Sequence, residues 1–159
     1  RRAKNLHQEM NAMFRKEYTH SKYSYAYHKE CSIGKCIECH RKSKSFLKLD
    51  IKKFFKSISK AQVLKKIEKD WKIDKHYVMI LDQILSCCFY EEKLPLGLVM
   101  SPMISDYFLH EFDIKVGKYC KANRLIYTRY ADDIMISSDT SMDEFLDVFG
   151  CQQSTYLVG

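Results

Sequence analysis

Glycine and proline are scarce in this chain, five and two residues respectively in 159. So few leave little room for flexible linkers or low-complexity tails. Long apolar runs are missing as well: no stretch approaches 18 uncharged apolar residues, which excludes a membrane-spanning helix. Arg1 to Glu9 places no apolar core behind its charges, so nothing there reads as a secretory signal, and a cytoplasmic location is the default expectation. No repeat of solenoid or propeller period is visible, and no internal domain boundary. There is no Gly-rich phosphate loop and no Ser-His-Asp arrangement that spacing supports. Cysteine is not scarce. Seven residues, an odd number, are scattered through patterned segments, which suits reduced thiols better than a disulfide framework.

What is present reads as globular: 46% of residues are hydrophobic and 13% aromatic, enough to bury a real core. Net charge is +7, and much of it lies in Lys42, Lys44, Lys48, Lys52, Lys53, Lys56, Lys60, Lys65, Lys66 and Lys69. Composition alone allows two readings, a solvated helix face or a nucleic-acid track.

Leu6, Met10, Met13 and Phe14 recur at helical spacing, and Ile33, Cys36, Ile37 and His40 fit one face of a short helix. Tyr18 to Tyr27 reads as a loop. From Phe46 to Ile51 the period becomes two, with Leu47, Leu49 and Ile51 on one side of a strand and Phe46, Lys48 and Asp50 on the other. Ser59 with Gln62 forms a capping box before a helix carrying Val63, Leu64 and Ile67. Asp74 caps the next, whose apolar face is Val78, Leu81, Ile84, Leu85 and Cys88. Ser101-Pro102 starts a long helix carrying Ile104, Tyr107, Phe108, Phe112 and Val116. Leu125–Tyr130 and Ile134–Ser138 are β-rich runs joined by Ala131-Asp132-Asp133, a tight hairpin. Ser141 with Glu144 opens a last helix. This order predicts an α+β fold, most of a ferredoxin-like unit, with helices on one face of an antiparallel sheet. The other face, bearing Asp50 and the hairpin tip, stays open.

An Asp-Asp pair at a hairpin tip is commonly turn chemistry alone. Asp50, at the end of its strand, changes the weighing. If the hairpin pairs beside that strand, Asp50, Asp132 and Asp133 converge with little near them to neutralise the charge. Magnesium, a hard cation that takes one or two carboxylates, answers that need. Two such ions about 3.5–4 Å apart suit in-line phosphoryl transfer.

At this point the residues resemble a family. Tyr130-Ala131-Asp132-Asp133 is similar to the Tyr-x-Asp-Asp box of reverse transcriptases, and Leu47 to Ile58 resembles the strand bearing their first catalytic aspartate. Leu94-Pro95-Leu96-Gly97 through Ser101-Pro102, then Asp106, Leu109 and Asp113, is similar to their Pro-Gln-Gly…Ser-Pro segment and its helix. Tyr25-Ala26-Tyr27 through Ser32-Ile33 weakly resembles a fingers segment. The likeness runs from about residue 23 to 139, and it is nearest to bacterial group II intron, retron and defence-associated enzymes. Each box alone is a modest signal, whereas their ordered combination is strong.

The resemblance implies a polymerase palm over residues 46–150, partial fingers over 1–45 and an unassigned tail at 151–159, with the last palm strand and the thumb missing. It implies an RNA-directed DNA polymerase that adds deoxynucleotides to a primer 3′-hydroxyl with two magnesium ions, manganese being able to substitute. RNA template, DNA primer and deoxynucleoside triphosphates are the implied partners. By the same likeness Asp50 and Asp132 are the principal metal ligands, Asp133 is the supporting acid and the Ile51 carbonyl adds a ligand. Phe55 corresponds to the aromatic under the incoming sugar that excludes a 2′-hydroxyl, Tyr130 lies near the primer end, and Gly97 lets the backbone approach the nascent base pair. Plain alternatives stand beside these: Phe54 and Phe55 as core, Gly97 as an ordinary turn. Lys52, Lys53 and Lys56, with Lys42 and Lys44, flank the Asp50 strand and are candidates for template or primer phosphates.

Some positions depart from the family. Leu96 stands where glutamine is usual, so nucleotide selection is expected to loosen. His28-Lys29-Glu30-Cys31 replaces a glycine-containing basic pattern, leaving Lys29 as the candidate for the triphosphate. Cys31, Cys36, Cys39 and His40 offer a zinc-like spacing, but adjacent Cys39 and His40 are awkward for one tetrahedral site, and thiols packed in a helix are the plainer reading. A template-independent polymerase and a catalytically idle nucleic-acid-binding module remain as rival functions.

Overall fold

The computed structural model describes residues 18–141 together with Gln8, Asn11, Ala12 and Phe14. Those four early residues are helical, while Leu6, Met10, Met13, Glu144 and the 151–159 tail lie outside the described residues. In chain order the elements are α1 (Ile33–Cys39), β1 (Ser45–Asp50), α2 (Phe54–Ser57), α3 (Lys60–Trp71), α4 (Lys75–Ser86), α5 (Ser101–Ala122), β2 (Ile126–Tyr130) and β3 (Asp133–Ser138). They form two compact units. One comprises residues 1–20 and 52–110, the other residues 21–51 and 111–159. The expected α+β class is observed.

The first unit is helical and starts where local chemistry says it should. Ser59 accepts from the Gln62 amide and Gln62 bonds back to the Ser59 amide, completing the capping box that opens α3. Asp74 accepts from the His76 amide at 2.9 Å and opens α4. Val63, Ile67, Leu85, Cys88, Leu94, Met100 and Ile104 are fully buried, each large aliphatic side chain worth about 1.5–3 kcal/mol. Burial also raises the Cys88 thiol to about 12, whereas the adjacent Cys87 is exposed. An aromatic cluster joins Phe14, Trp71, Tyr18 and Tyr107 at centroid distances of 5.0–6.2 Å. Its polar ends are satisfied: Tyr107 donates to Asp70 at 2.9 Å and Tyr18 to buried Asp106 at 3.0 Å.

The second unit holds a three-stranded antiparallel sheet in the order β1-β3-β2. Leu47, Leu49, Ile51, Tyr127, Ile134 and Ile136 form one packed layer with Val116 and Cys120 of α5. Gly117 is required there, because a Cβ would run into the Tyr23 ring. The free edge of β2 is partly covered by the 23–25 segment, where the Arg129 amide donates to the Tyr23 carbonyl and the Tyr25 amide to the Arg129 carbonyl, both at 2.8 Å.

Three expectations need correction. The second sheet face is not wholly open: Cys36 and His40, from α1 and its C-terminal cap, reach Thr128 and Ser137 on the same face as Asp50. Helices therefore lie on both faces. Within α1 the buried pair is Cys36 and His40, while Ile33 and Ile37 are each 58% exposed, because the polar network to Thr128 and Ser137 chooses the buried side. Along α5, Phe112 is 42% exposed and its neighbour Asp113 is buried, since Asp113 meets a buried arginine.

Candidate active site

Asp133 is the first residue of β3, not part of the turn, so the hairpin connection is only Ala131-Asp132. The register sets Asp50 directly opposite Asp133, and Asp133 opposite Tyr130. Directly paired residues project from the same face, so Asp50, Asp133 and Tyr130 form one row at the end of the sheet. Lys48, Met135 and Thr128 form the next row along. Asp132 caps the row at the turn, where its carbonyl accepts from the Ile51 amide at 3.1 Å. Asp50 is exposed, and Asp132 and Asp133 are half-buried, so all three carboxylates reach solvent.

The charge of this row is not left unanswered by the protein. Lys48 approaches Asp133 at 2.9 Å. Its hydrogen bond and charge contact with Asp133, assisted by Asp50 and Asp132, raise the ammonium above its ordinary range. The sequence carried the signal, because Lys48 and Asp50 are two apart on a strand and must share a face.

Beneath the row, on the covered face, lies a pair that sequence reading did not single out. Arg129 and Asp113 are both fully buried, with Nε and Nη2 of Arg129 donating to the two Asp113 oxygens at 2.8 and 2.7 Å. Tyr127 also donates to Asp113, at 2.7 Å, and burial beside that carboxylate pushes its phenol upward. A bidentate, hydrogen-bonded pair is the arrangement that makes burial of two charges tolerable, and removing one partner typically costs about 3–5 kcal/mol. The remaining Arg129 nitrogen, Nη1, donates to the Ala131 carbonyl at 2.9 Å. A charged residue in the inward phase of a strand was the signal for such a partner.

The other candidates fall as follows. Lys29 is exposed in the unit that carries the aspartates. In the helical unit, Phe54 is 4% exposed, whereas Phe55 is half-buried with its ring 4.9 Å from that of Phe54. Lys52, Lys53 and Lys56 are exposed. Lys60 and Lys66 instead serve the fold: Lys60 bridges Asp82 and Glu92 at 3.1 and 3.2 Å, and Lys66 meets Asp70 at 2.8 Å. Gly97 has φ 92°, a left-handed conformation that glycine adopts without strain, and a Cβ added there would meet nothing within 4 Å. Leu96 beside it is 80% exposed.

The side chains of the cysteine cluster are engaged in hydrogen bonds within the protein. Cys36 bonds Thr128 at 3.1 Å, Cys39 bonds the Tyr25 hydroxyl at 3.0 Å, and both ring nitrogens of His40 are occupied, by Ser137 and Thr128. Burial raises the Cys36 thiol and lowers the His40 imidazole, so both are held neutral. Among the described residues no cluster of three or more His, Cys, Asp or Glu closes into a metal cage. The aspartate row still fits a hard cation by its donors. It offers carboxylate oxygens open to water, and magnesium ordinarily keeps several waters and takes only one or two carboxylates.

The model of the family described as reverse transcriptase (RNA-dependent DNA polymerase) matches residues 3–155. The chain is 32% identical to the retron Ec73 reverse transcriptase of Escherichia coli, over 82% of this chain and 44% of that protein. It is 31% identical to the retron Ec83 reverse transcriptase and 27% identical to the retron Ec86 reverse transcriptase of the same organism, over 63% and 76% of this chain. It spans less than half the length of these curated relatives, 34% and 36% for the latter two. The chain belongs to the reverse transcriptase family, which the model match and the similarity to the retron Ec73 enzyme both show.

Proposed function

We propose that this chain carries the catalytic centre of an RNA-directed DNA polymerase on a ferredoxin-like palm that begins at residue 46, with partial fingers before it. The observation that carries the reading is the register of β1 against β3, which brings Asp50 opposite Asp133 and leaves Asp132 at the adjoining turn. Family membership supplies the reaction class. Asp50 and Asp132 are the principal ligands for magnesium, Asp133 is the supporting acid and the Ile51 carbonyl is a further oxygen donor. When bound, the metal ions neutralise the phosphates and favour the deprotonated primer 3′-hydroxyl.

The chain's own residues do the rest of the work. The three carboxylates sit at a sheet end fixed by the pairing of β1, β3 and β2, so little reorganisation is needed when the triphosphate arrives. Tyr130, in the same row, presents a ring for the primer end. Phe55 blocks the volume a 2′-hydroxyl would need, which selects deoxynucleotides. Gly97 leaves space for the nascent pair, and Leu96 offers an apolar contact in place of a hydrogen bond. Lys29, Lys52, Lys53 and Lys56 are candidates for phosphates of the nucleotide, template and primer.

Primer extension on an RNA template tests this reading, run with magnesium or manganese on this chain and on any longer reading frame that contains it. Template-matched DNA is expected from the wild type and none from Asp132→Asn plus Asp133→Asn. Product that ignores the template would move the assignment to a template-independent polymerase. Absence of product from every form in either metal would leave a nucleic-acid-binding module as the better account.

A further inference from the structure

We infer that Arg129 and Asp113 are positioning residues that aim the Ala131-Asp132 turn, and so set divalent-cation affinity in addition to stability; the cation arm of this inference rests on the function proposed above. The geometry is a strut built from the covered face of the sheet. Asp113 is anchored in α5 and receives Nε and Nη2 of Arg129 together with the Tyr127 hydroxyl. That fork fixes the guanidinium plane, leaving Nη1 to hold the Ala131 carbonyl at 2.9 Å. On the other side of Asp132, its own carbonyl is held by the Ile51 amide at 3.1 Å. The peptide groups before and after Asp132 are therefore both pinned, and the direction of its side chain is determined by those pins.

The turn needs such support. Ala131 has φ 57°, in the left-handed region, which a residue with a Cβ adopts only when its surroundings insist. A lysine at 129 would keep the charge but not the fork, so it could not satisfy Asp113 in two places and the Ala131 carbonyl at once. Packing alone would be served by any arrangement that neutralises Asp113. The third bond, to the turn carbonyl, is what links the pair to the aspartate row.

The test uses the full chain with Arg129→Lys, Asp113→Asn and Tyr127→Phe, each checked for folding by circular dichroism and thermal melting. Two readings are taken well below the thermal transition: Mn2+ affinity by electron paramagnetic resonance, and hydrogen exchange at the Ile51 amide. Arg129→Lys and Asp113→Asn are expected to weaken Mn2+ about 10- to 100-fold, as loss of groups that orient a ligand does. Both should also lose Ile51 protection selectively, relative to the amides of the β1–β3 ladder. Tyr127→Phe removes one bond and keeps the fork, so it should fold where the others fail and shift both readings in the same direction by less. A folded Arg129→Lys with wild-type Mn2+ affinity and unchanged Ile51 protection overturns the inference, as does a folded Tyr127→Phe that moves neither. If the wild type binds no Mn2+, the proposed function fails, while Ile51 exchange still decides whether the strut holds the turn.

Discussion

The Lys48 ammonium meets Asp133 at 2.9 Å, in the row next to Asp50. With no cation bound it is the counter-charge of the row, so an incoming divalent ion competes with it for the same carboxylate. Lys48→Met keeps the length of the side chain and removes the competitor. The expected outcome is tighter Mn2+ binding, by several-fold, with the gain shrinking as ionic strength rises. Weaker binding in that variant would mean that Lys48 helps to hold the row in shape. Alternation along β1 places Lys48 with Asp50, so the pairing was legible; what the sequence did not reveal was which carboxylate it would choose. Arg129 was less legible still, because its partner lies on α5 and only the folded chain brings the two together.

At the scale of elements, caps and strand alternation were legible, and the buried sides of helices were less so. The Ser59–Gln62 box and the Asp74 cap depend on residues two or three apart, and both form as expected. The alternation of β1 also holds, because a strand with one packed face has only one workable phase. The buried side of α1 keeps only half of the expected face: Cys36 and His40 are chosen by Thr128 and Ser137, almost a hundred residues along the chain, and Ile33 and Ile37 are left exposed. That network has a consequence for pH. Burial lowers the His40 pKa, so the folded state holds the imidazole neutral while the unfolded chain protonates it near its ordinary value of 6.5. Between the two values the unfolded state binds more protons, and stability falls as pH drops through that window. Denaturant midpoints measured from pH 7.5 down to pH 5 (about the range over which histidine titrates) should show this acid limb. His40→Asn should be less stable at the upper end and should have a flatter profile. An equally steep profile in the variant would assign the limb to other groups.

Over the whole molecule the +7 charge raises the question that composition left open, a solvated face or a nucleic-acid track. The fold divides the lysines into kinds. Lys60 and Lys66 are committed to ion pairs with Asp82, Glu92 and Asp70, and Lys48 to Asp133. Lys52, Lys53 and Lys56 are exposed and follow directly on the strand that ends at Asp50. If these three meet phosphates, each releases a counterion on binding, and affinity for a primer–template falls steeply with salt. Replacing all three by glutamine should weaken binding at low salt and reduce the slope of log K against log salt by about two to three. Sequence preference should not change, since phosphate contacts carry no base information. Replacing Lys60 and Lys66 serves as the comparison: it should lower the melting temperature, because it breaks pairs inside the helical unit, and leave the slope nearly intact. Fluorescence anisotropy of a labelled primer–template across a salt series reads both quantities. An unchanged slope in the triple variant would return Lys52, Lys53 and Lys56 to the solvated face and put the nucleic-acid track elsewhere on the chain.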